Sequence, residues 1–457
     1  MSRWRGPGVG LVGTLAVSLS LLLTTSFASA QTNVTTSFVP LKGGVLGVLY
    51  QPPDPGPKSH VGIVIMHTFA SYQNFVGCRE LGRRGYTVLC ADGPEVNVLH
   101  SAFTWEDAPI YVGQSVGYLR SRADINSVLV LGHSIGGPLM AFYQNLAEHG
   151  PAAVCEGSEK MTRCTDALTG LPPADGVILL DSHLGDAFGT LTYTDPSVTS
   201  ENDPTQRNAS LDMFNPANGF SPEGANYSAE FRHTYLQAQA RRYQQIVQRA
   251  QERLAKVQAG QGLYTDDEPF PINGMQARMW QSDLHQLAST LDPWPLLRAD
   301  GSVSTEVIHS VRVPSGGPQG ARSLNAAYNT LTVKEFLSTH AIRVDPALFD
   351  INERDITGVD WASSSTSAPA NIEGVSVPLI IMSMTGHYFE RPDEIILQHA
   401  ASADKTLGFV EGAVHGLTPC QPCAERFNGG TSYGDTVARL FDYIDSWIAP
   451  RFAPTSV

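Results

Sequence analysis

Ser134 stands at the centre of Gly132-His133-Ser134-Ile135-Gly136, with Gly137 behind it, at the end of the apolar run Val128 to Leu131. Glycines on either side let the backbone turn sharply from a strand into a helix and let the two elements pack closely. Such a turn exposes a hydroxyl at its tip and aims the following backbone N–H groups, Ile135 first, at a reacting oxygen. The chemistry this suits is nucleophilic attack on a carbonyl carbon. A serine hydroxyl is a poor nucleophile at neutral pH, so it needs an imidazole within hydrogen-bond reach and a carboxylate to orient that imidazole. The chain offers 13 histidines, and the elements around the serine decide which of them can serve.

Those elements alternate. Residues 36–50 read as a hairpin turning near Gly43-Gly44, and Gln51 to Lys58 as a Pro-rich loop. His60 to Met66 is an apolar run suited to a buried parallel strand. A helix over 71–83, a strand over 85–92 and a helix from Glu106 to Arg120 lead to the strand that ends at Ser134. Behind it, Pro138 to Glu148 reads as a helix closed by Gly150, and Ala174 to Asp181 as the next strand. Alternation of this kind requires crossover connections and a mostly parallel sheet. The pattern breaks from Ser182 to Ala370, where a polar stretch over 197–226 precedes a long helix. Its apolar positions Tyr243, Ile246, Val247, Ala250, Leu254 and Val257 recur at three- and four-residue steps up to a stop at Gly260. The sheet resumes at Val377 to Met382 and Lys405 to Val410, with a helix near 392–401 between them. A last helix carries Leu440, Phe441, Ile444, Trp447 and Ile448 on one face.

The Gly-x-Ser-x-Gly turn in this strand and helix order resembles the α/β-hydrolase superfamily, over most of the chain outside residues 182–370. The resemblance implies an α/β-hydrolase core over 31–181 and 371–457 and a largely helical cap insertion over 182–370. It implies carboxylic-ester hydrolysis through an acyl-enzyme on Ser134, with neither metal nor organic cofactor, and a small-molecule or polymeric ester as substrate. Peptide or amide cleavage by the same residues, and an acyl-transfer or binding role of the same fold, are the alternatives. Glu411-Gly412-Ala413-Val414-His415-Gly416 is similar to the family segment that delivers the base, so His415 takes that role. The loop after the first parallel strand would supply the second oxyanion donor. Here it reads His67-Thr68-Phe69, so Phe69 or Thr68 joins Ile135, while His67 holds backbone geometry and His133 points away from the reacting centre. Two acids compete. Where the family usually places an Asp this chain has His387, with Glu390 three residues further on; some members place the acid one strand earlier, where Asp181 stands. Asp181 is the preferred reading and Glu390 the alternative; His387 then reads first as a loop histidine, with a place on the substrate side or behind the triad as its alternative.

The ends and the composition bound the setting. Arg3 and Arg5, an apolar Leu11 to Leu23 and Ala28-Ser29-Ala30 form a cleavable leader over residues 1–30, which implies a secreted or periplasmic protein beginning at Gln31. No later stretch is long and apolar enough to span a membrane. The formal net charge of −14 disfavours nucleic acid and anionic membranes as partners, and loss of a leader with two arginines and no acids makes it more negative. Six cysteines, an even number, read as disulfides in an exported chain. Their spacing suggests Cys155–Cys164, Cys420–Cys423 and Cys78–Cys90. Thr265-Asp266-Asp267-Glu268 lacks the alternating ligand spacing of a calcium loop and reads as a solvated or capping turn.

Overall fold

Four runs with almost no polar interruption, V-G-I-V-I-M-H, S-V-L-V-L-G-H, G-V-I-L-L and L-I-I-M-S-M, become the central strands and are buried along nearly their whole length. The computed structural model describes residues 34–96, 104–157, 160–322 and 328–453; the leader read over 1–30 lies outside them. The main sheet has ten strands: β1 (Thr35–Pro40), β2 (Leu46–Gln51), β3 (Val61–His67), β4 (Thr87–Asp92), β5 (Ser127–His133), β6 (Gly176–Leu180), β7 (Ser289–Leu297), β8 (Val303–His309), β9 (Leu379–Met384) and β10 (Lys405–Val410). Their order across the sheet is β1-β2-β4-β3-β5-β6-β9-β10-β7-β8. Pairing is parallel from β4 through to β7 and antiparallel at β1–β2, β2–β4 and β7–β8. This is the mostly parallel, helix-flanked sheet that the resemblance implies.

Side-chain alternation divides the core in two. Ile63, Ile65, Leu129, Leu131, Ile178 and Leu180 face one side, with Leu81 of α1 (Val76–Arg83) and Leu440, Phe441 and Ile444 of α6 (Thr436–Phe452). Val64, Met66, Val128, Val130, Val177 and Leu179 face the other side. There they meet α2 (Ala108–Arg120), α3 (Gly136–Cys155) and α5 (Glu390–His399). With both faces buried, a one-residue slip of any central strand would exchange two complete sets of apolar side chains, so the register is fixed. The strands after β3 run to opposite sides of it, β4 on one side and β5 on the other. Open parallel sheets bind ligands at such a reversal, beyond the carboxyl ends of the strands.

The segment from 182 to 370 is organised by α4 (Ala229–Gln258), a 30-residue helix capped by the Ser228 side chain. Tyr235, Ala240, Tyr243, Ile246, Val247, Ala250 and Val257 are buried along it, while Leu254 is only partly covered. Short antiparallel ribbons, Pro269–Asn273 with Tyr328–Thr332 among them, accompany the helix. One boundary needs correcting. Residues 289–309, read as part of the cap, form the β7–β8 hairpin and extend the main sheet, with Leu296 and Leu297 paired to Phe409 and Val410 of β10. Pro293 and Pro295 hid this strand in the sequence, yet a strand near a sheet edge tolerates prolines because fewer of its N–H groups need partners. All six cysteines are paired, Cys78–Cys90, Cys155–Cys164 and Cys420–Cys423. Among the described residues no helix is long and apolar enough to cross a membrane.

Candidate active site

Ser134 lies between β5 and α3 with φ = 60°, a conformation that costs a non-glycine residue energy and persists only where the surroundings enforce it. Two glycines do the enforcing. A Cβ on Gly132 would sit 2.1 Å from the Gly136 carbonyl oxygen, and one on Gly136 would sit 2.7 Å from that of Met66. The Ser134 N–H is anchored on the Leu180 carbonyl at 3.1 Å, and the Ser134 carbonyl accepts from the His183 N–H at 3.0 Å. The turn is thereby tied to the end of β6, where Asp181 follows with a second positive φ of 44°.

His415 comes from a tight loop after β10. Cys420 N–H donates to the Gly412 carbonyl at 2.7 Å and Val414 N–H to that of Thr418 at 2.9 Å, and the Cys420–Cys423 bridge closes directly behind. The loop carries the imidazole to Ser134, whose Oγ lies 2.9 Å from His415 Nε2. On the other side of the ring, Nδ1 lies 2.5 Å from Asp181 Oδ2. Asp181 is fully buried, and its Oδ1 accepts the Met384 N–H at 3.3 Å. Burial alone would raise its carboxyl, but the His387 and His415 rings more than offset this and hold it below the usual carboxylate range. A charged carboxylate on Nδ1 fixes the tautomer that leaves Nε2 free to accept the serine proton.

Glu390, the alternative acid, is also fully buried, at the first position of α5, and neither of its oxygens has a hydrogen-bond partner among the described residues. Desolvation pushes its carboxyl up to about 8, against the opposing influence of Arg312. The structure therefore brings Ser134, His415 and Asp181 together and leaves Glu390 apart from them as a neutral acid.

The remaining histidines are set by burial. His133 reaches behind the Ser134, His415 and Asp181 side chains: its Nε2–H donates to the His415 carbonyl at 2.7 Å, and its Nδ1 accepts from the Tyr72 hydroxyl at 2.6 Å. Those partners require a neutral ring, and burial lowers its pKa to about 3. It thus points away from the serine oxygen, but onto the back of the loop that carries His415. Tyr72 is in turn held by its own N–H on Asp92 Oδ1 at 2.7 Å. His67 is brought down to about 4, mainly by burial, and its Nδ1 accepts the Phe69 N–H at 3.0 Å. The Phe69 amide is thus oriented by His67, while the residue itself stays 46% exposed; Thr68 beside it is buried, with its hydroxyl unpartnered. Ile135, the residue before α3, is 6% exposed. His387 stacks on His415, with ring centroids 4.4 Å apart, and brings Nδ1 to 2.7 Å from Asp181 Oδ2. Sequence reasoning missed Tyr72 altogether. The parity of His133 with Leu129 and Leu131, which places all three on the face of the sheet that covers Tyr72, was the available signal.

No family model and no curated protein matches the chain. Solved structures align over most of it. They include the α/β hydrolase GrgF from a Penicillium species (11% identity, TM-score 0.41, covering 92% of this chain and 100% of that one). Est1E from Butyrivibrio proteoclasticus aligns at 10% identity and TM-score 0.38, over 92% and 99% of the two chains. A monoacylglycerol lipase from Paleococcus ferrophilus aligns at 11% identity and TM-score 0.35, over 92% and 99%. At such identities and scores the fold rests on the strand order and pairing themselves.

Proposed function

We propose, from the premise that this chain is an α/β-hydrolase by fold, that it is an exported serine hydrolase cleaving carboxylic esters through an acyl-enzyme on Ser134. The single observation that carries the reading is the relay from Ser134 Oγ to His415 Nε2, at 2.9 Å, and from His415 Nδ1 to the buried Asp181, at 2.5 Å. His415 takes the serine proton as Oγ attacks the ester carbonyl, and Asp181 stabilises the imidazolium that forms. The oxyanion is held by the Ile135 N–H together with that of Thr68, because the Phe69 N–H is already donated to His67 Nδ1. His415 then protonates the departing alcohol, and water attacks the acyl-enzyme by the same path in reverse. Residues 182–370, apart from the β7–β8 hairpin, act as the cap. Their segment around Arg278 and Trp280 packs on Tyr388, the neighbour of His387, with Arg278 Nη1 3.4 Å from the Tyr388 hydroxyl. The three disulfides and the leader-like first residues support export.

The test is labelling with a fluorophosphonate followed by mass spectrometry, beside profiling on synthetic esters and aminopeptides. A single adduct on Ser134, and loss of both labelling and ester cleavage in Ser134→Ala, are the expected results. Active protein with an unlabelled Ser134 would overturn the reading.

A further inference from the structure

We propose that Asp181, His387 and His415 form a binding site for a divalent transition ion of the zinc class, and that its occupancy switches hydrolysis off. The switch rests on the hydrolase reading above; the site does not. The three side chains each offer a ligand atom, and these atoms lie within 4.8 Å of one another, the one such group among the described residues. Asp181 Oδ2 is the hub, 2.7 Å from His387 Nδ1 and 2.5 Å from His415 Nδ1. The His415 contact is an aligned hydrogen bond. The His387 contact is close but off-axis: Nδ1 is buried and makes no aligned hydrogen bond among the described residues despite its closeness to the carboxylate. An imidazole nitrogen held against an anion without an aligned proton is a polar atom that the protein itself leaves unsatisfied, and a cation between the two satisfies both.

The donor set selects the ion. Two imidazole nitrogens and one carboxylate oxygen suit zinc, cobalt, nickel or copper, whereas calcium and magnesium want oxygen ligands in larger number. Thiols do not compete, because every cysteine is in a disulfide. Bonds of about 2.0–2.2 Å in a tetrahedral arrangement set ligand atoms roughly 3.3–3.5 Å apart, so each ring must withdraw from Oδ2 by less than about 1 Å. Asp181 is locked by burial and its bond to Met384 N–H, but the His415 side chain is 35% exposed on a loop and has room to yield.

Inhibition follows from the tautomer. A metal on His415 Nδ1 sends the proton from that nitrogen to Nε2, with none lost from the ring. An Nε2 that carries a proton cannot accept one from Ser134. The dication also takes over the Asp181 charge that would have stabilised the imidazolium.

The experiment has a binding arm and a turnover arm. Ser134→Ala protein is titrated with Co²⁺ and read by its visible d–d absorption, with Zn²⁺ as competitor. One tetrahedral band per chain, displaced by Zn²⁺ and lost in Ser134→Ala/His387→Phe, is expected; circular dichroism of both proteins reports folding. In the other arm, ester cleavage by the wild type is followed against free Zn²⁺, with EDTA reversal and with Ca²⁺ and Mg²⁺ as controls. His387→Phe is normalised to its own metal-free rate and is expected to need ~10–100-fold more zinc for half-inhibition. Absence of a Co²⁺ band in Ser134→Ala, or a band indifferent to His387, overturns the site whether or not esters are cleaved. A His387-dependent band without slowed turnover overturns the switch. No cleavage of any ester by metal-free wild type counts instead against the hydrolase reading, while the cobalt arm still decides the site.

Discussion

Asp181, at the end of β6, and Glu390, at the start of α5, are two carboxyl groups equally shut off from water. They are in opposite states. Asp181 has two imidazoles against it and a backbone N–H on its other oxygen, and it is held ionised. Glu390 occupies a helix first turn, where the backbone dipole favours an anion, yet neither oxygen has an aligned hydrogen-bond partner among the described residues and burial pushes its carboxyl up to about 8. Burial costs both groups alike, and direct partners decide which one pays it. The lowering influences on Glu390, Arg312 first and then its own backbone N–H and the Ser310 hydroxyl, do not suffice. A triad acid must be ionised at working pH, so the pair separates itself into one group able to orient His415 and one that is not.

The sharpest way to break this contrast is to neutralise each acid in turn. Asp181→Asn puts an amide against His415 Nδ1 and favours the tautomer that carries its proton on Nε2. A fall in kcat of about 10⁴-fold on a synthetic ester is expected. Glu390→Gln should keep kcat within a few-fold of wild type. Equal losses in the two variants, measured at the same pH and with folding checked, would put the acid back in question.

The next largest effect concerns stability. A Glu390 pKa near 8 in the folded protein, against an ordinary value of 4.5, means that between those pH values the unfolded chain has released a proton that the folded chain still holds. Stability therefore falls as pH rises through that window and levels off above about 8. By pH 7 the loss is about 3 kcal/mol. Urea unfolding of wild type and Glu390→Gln at pH 5, 7 and 8 checks it: the variant should gain on the wild type steadily with pH. A constant difference across the three values would mean that Glu390 is ionised in the fold.

How much of this was legible in the chain depended on whether a contact was local. The glycine-flanked turn at Ser134, the buried parallel strands and the short-range cysteine pairs are signals carried within a few residues, and the elements they imply are present. The β7–β8 hairpin was not legible, because what makes Ser289–Leu297 a strand is the edge of β10, more than 100 residues away, and its own prolines argue against it. The choice between Asp181 and Glu390, in which the sequence favoured Asp181 only modestly, was faintly legible for the same reason. It depends on β6 and β9 lying side by side, which brings Met384 and His387 to Asp181 across some 200 residues of intervening chain.

The smallest expected effect tests whether the histidine side of the proposed triad is held as firmly as the acid side. Asp181 is fixed by its own strand end, whereas His415 sits on a loop and has its carbonyl gripped by His133, which Tyr72 orients in turn. Tyr72→Phe removes only the hydroxyl that donates to His133 Nδ1, keeping the ring that stacks on His67 and Phe75. The freed Nδ1 stays buried without a donor, at a cost of about 1–3 kcal/mol. Some of that cost is recovered if His133 turns over and releases the His415 carbonyl. A loop that moves by a few tenths of an ångström lengthens the Nε2 to Oγ contact, so kcat should fall by roughly 10-fold while the affinity for a small ester changes little. A lowered kcat together with unchanged fluorophosphonate stoichiometry would locate the loss in positioning. An unchanged kcat with lowered stability would show that the Tyr72–His133 link serves the fold alone, and that the Gly412–Cys420 turn and its disulfide suffice to hold His415.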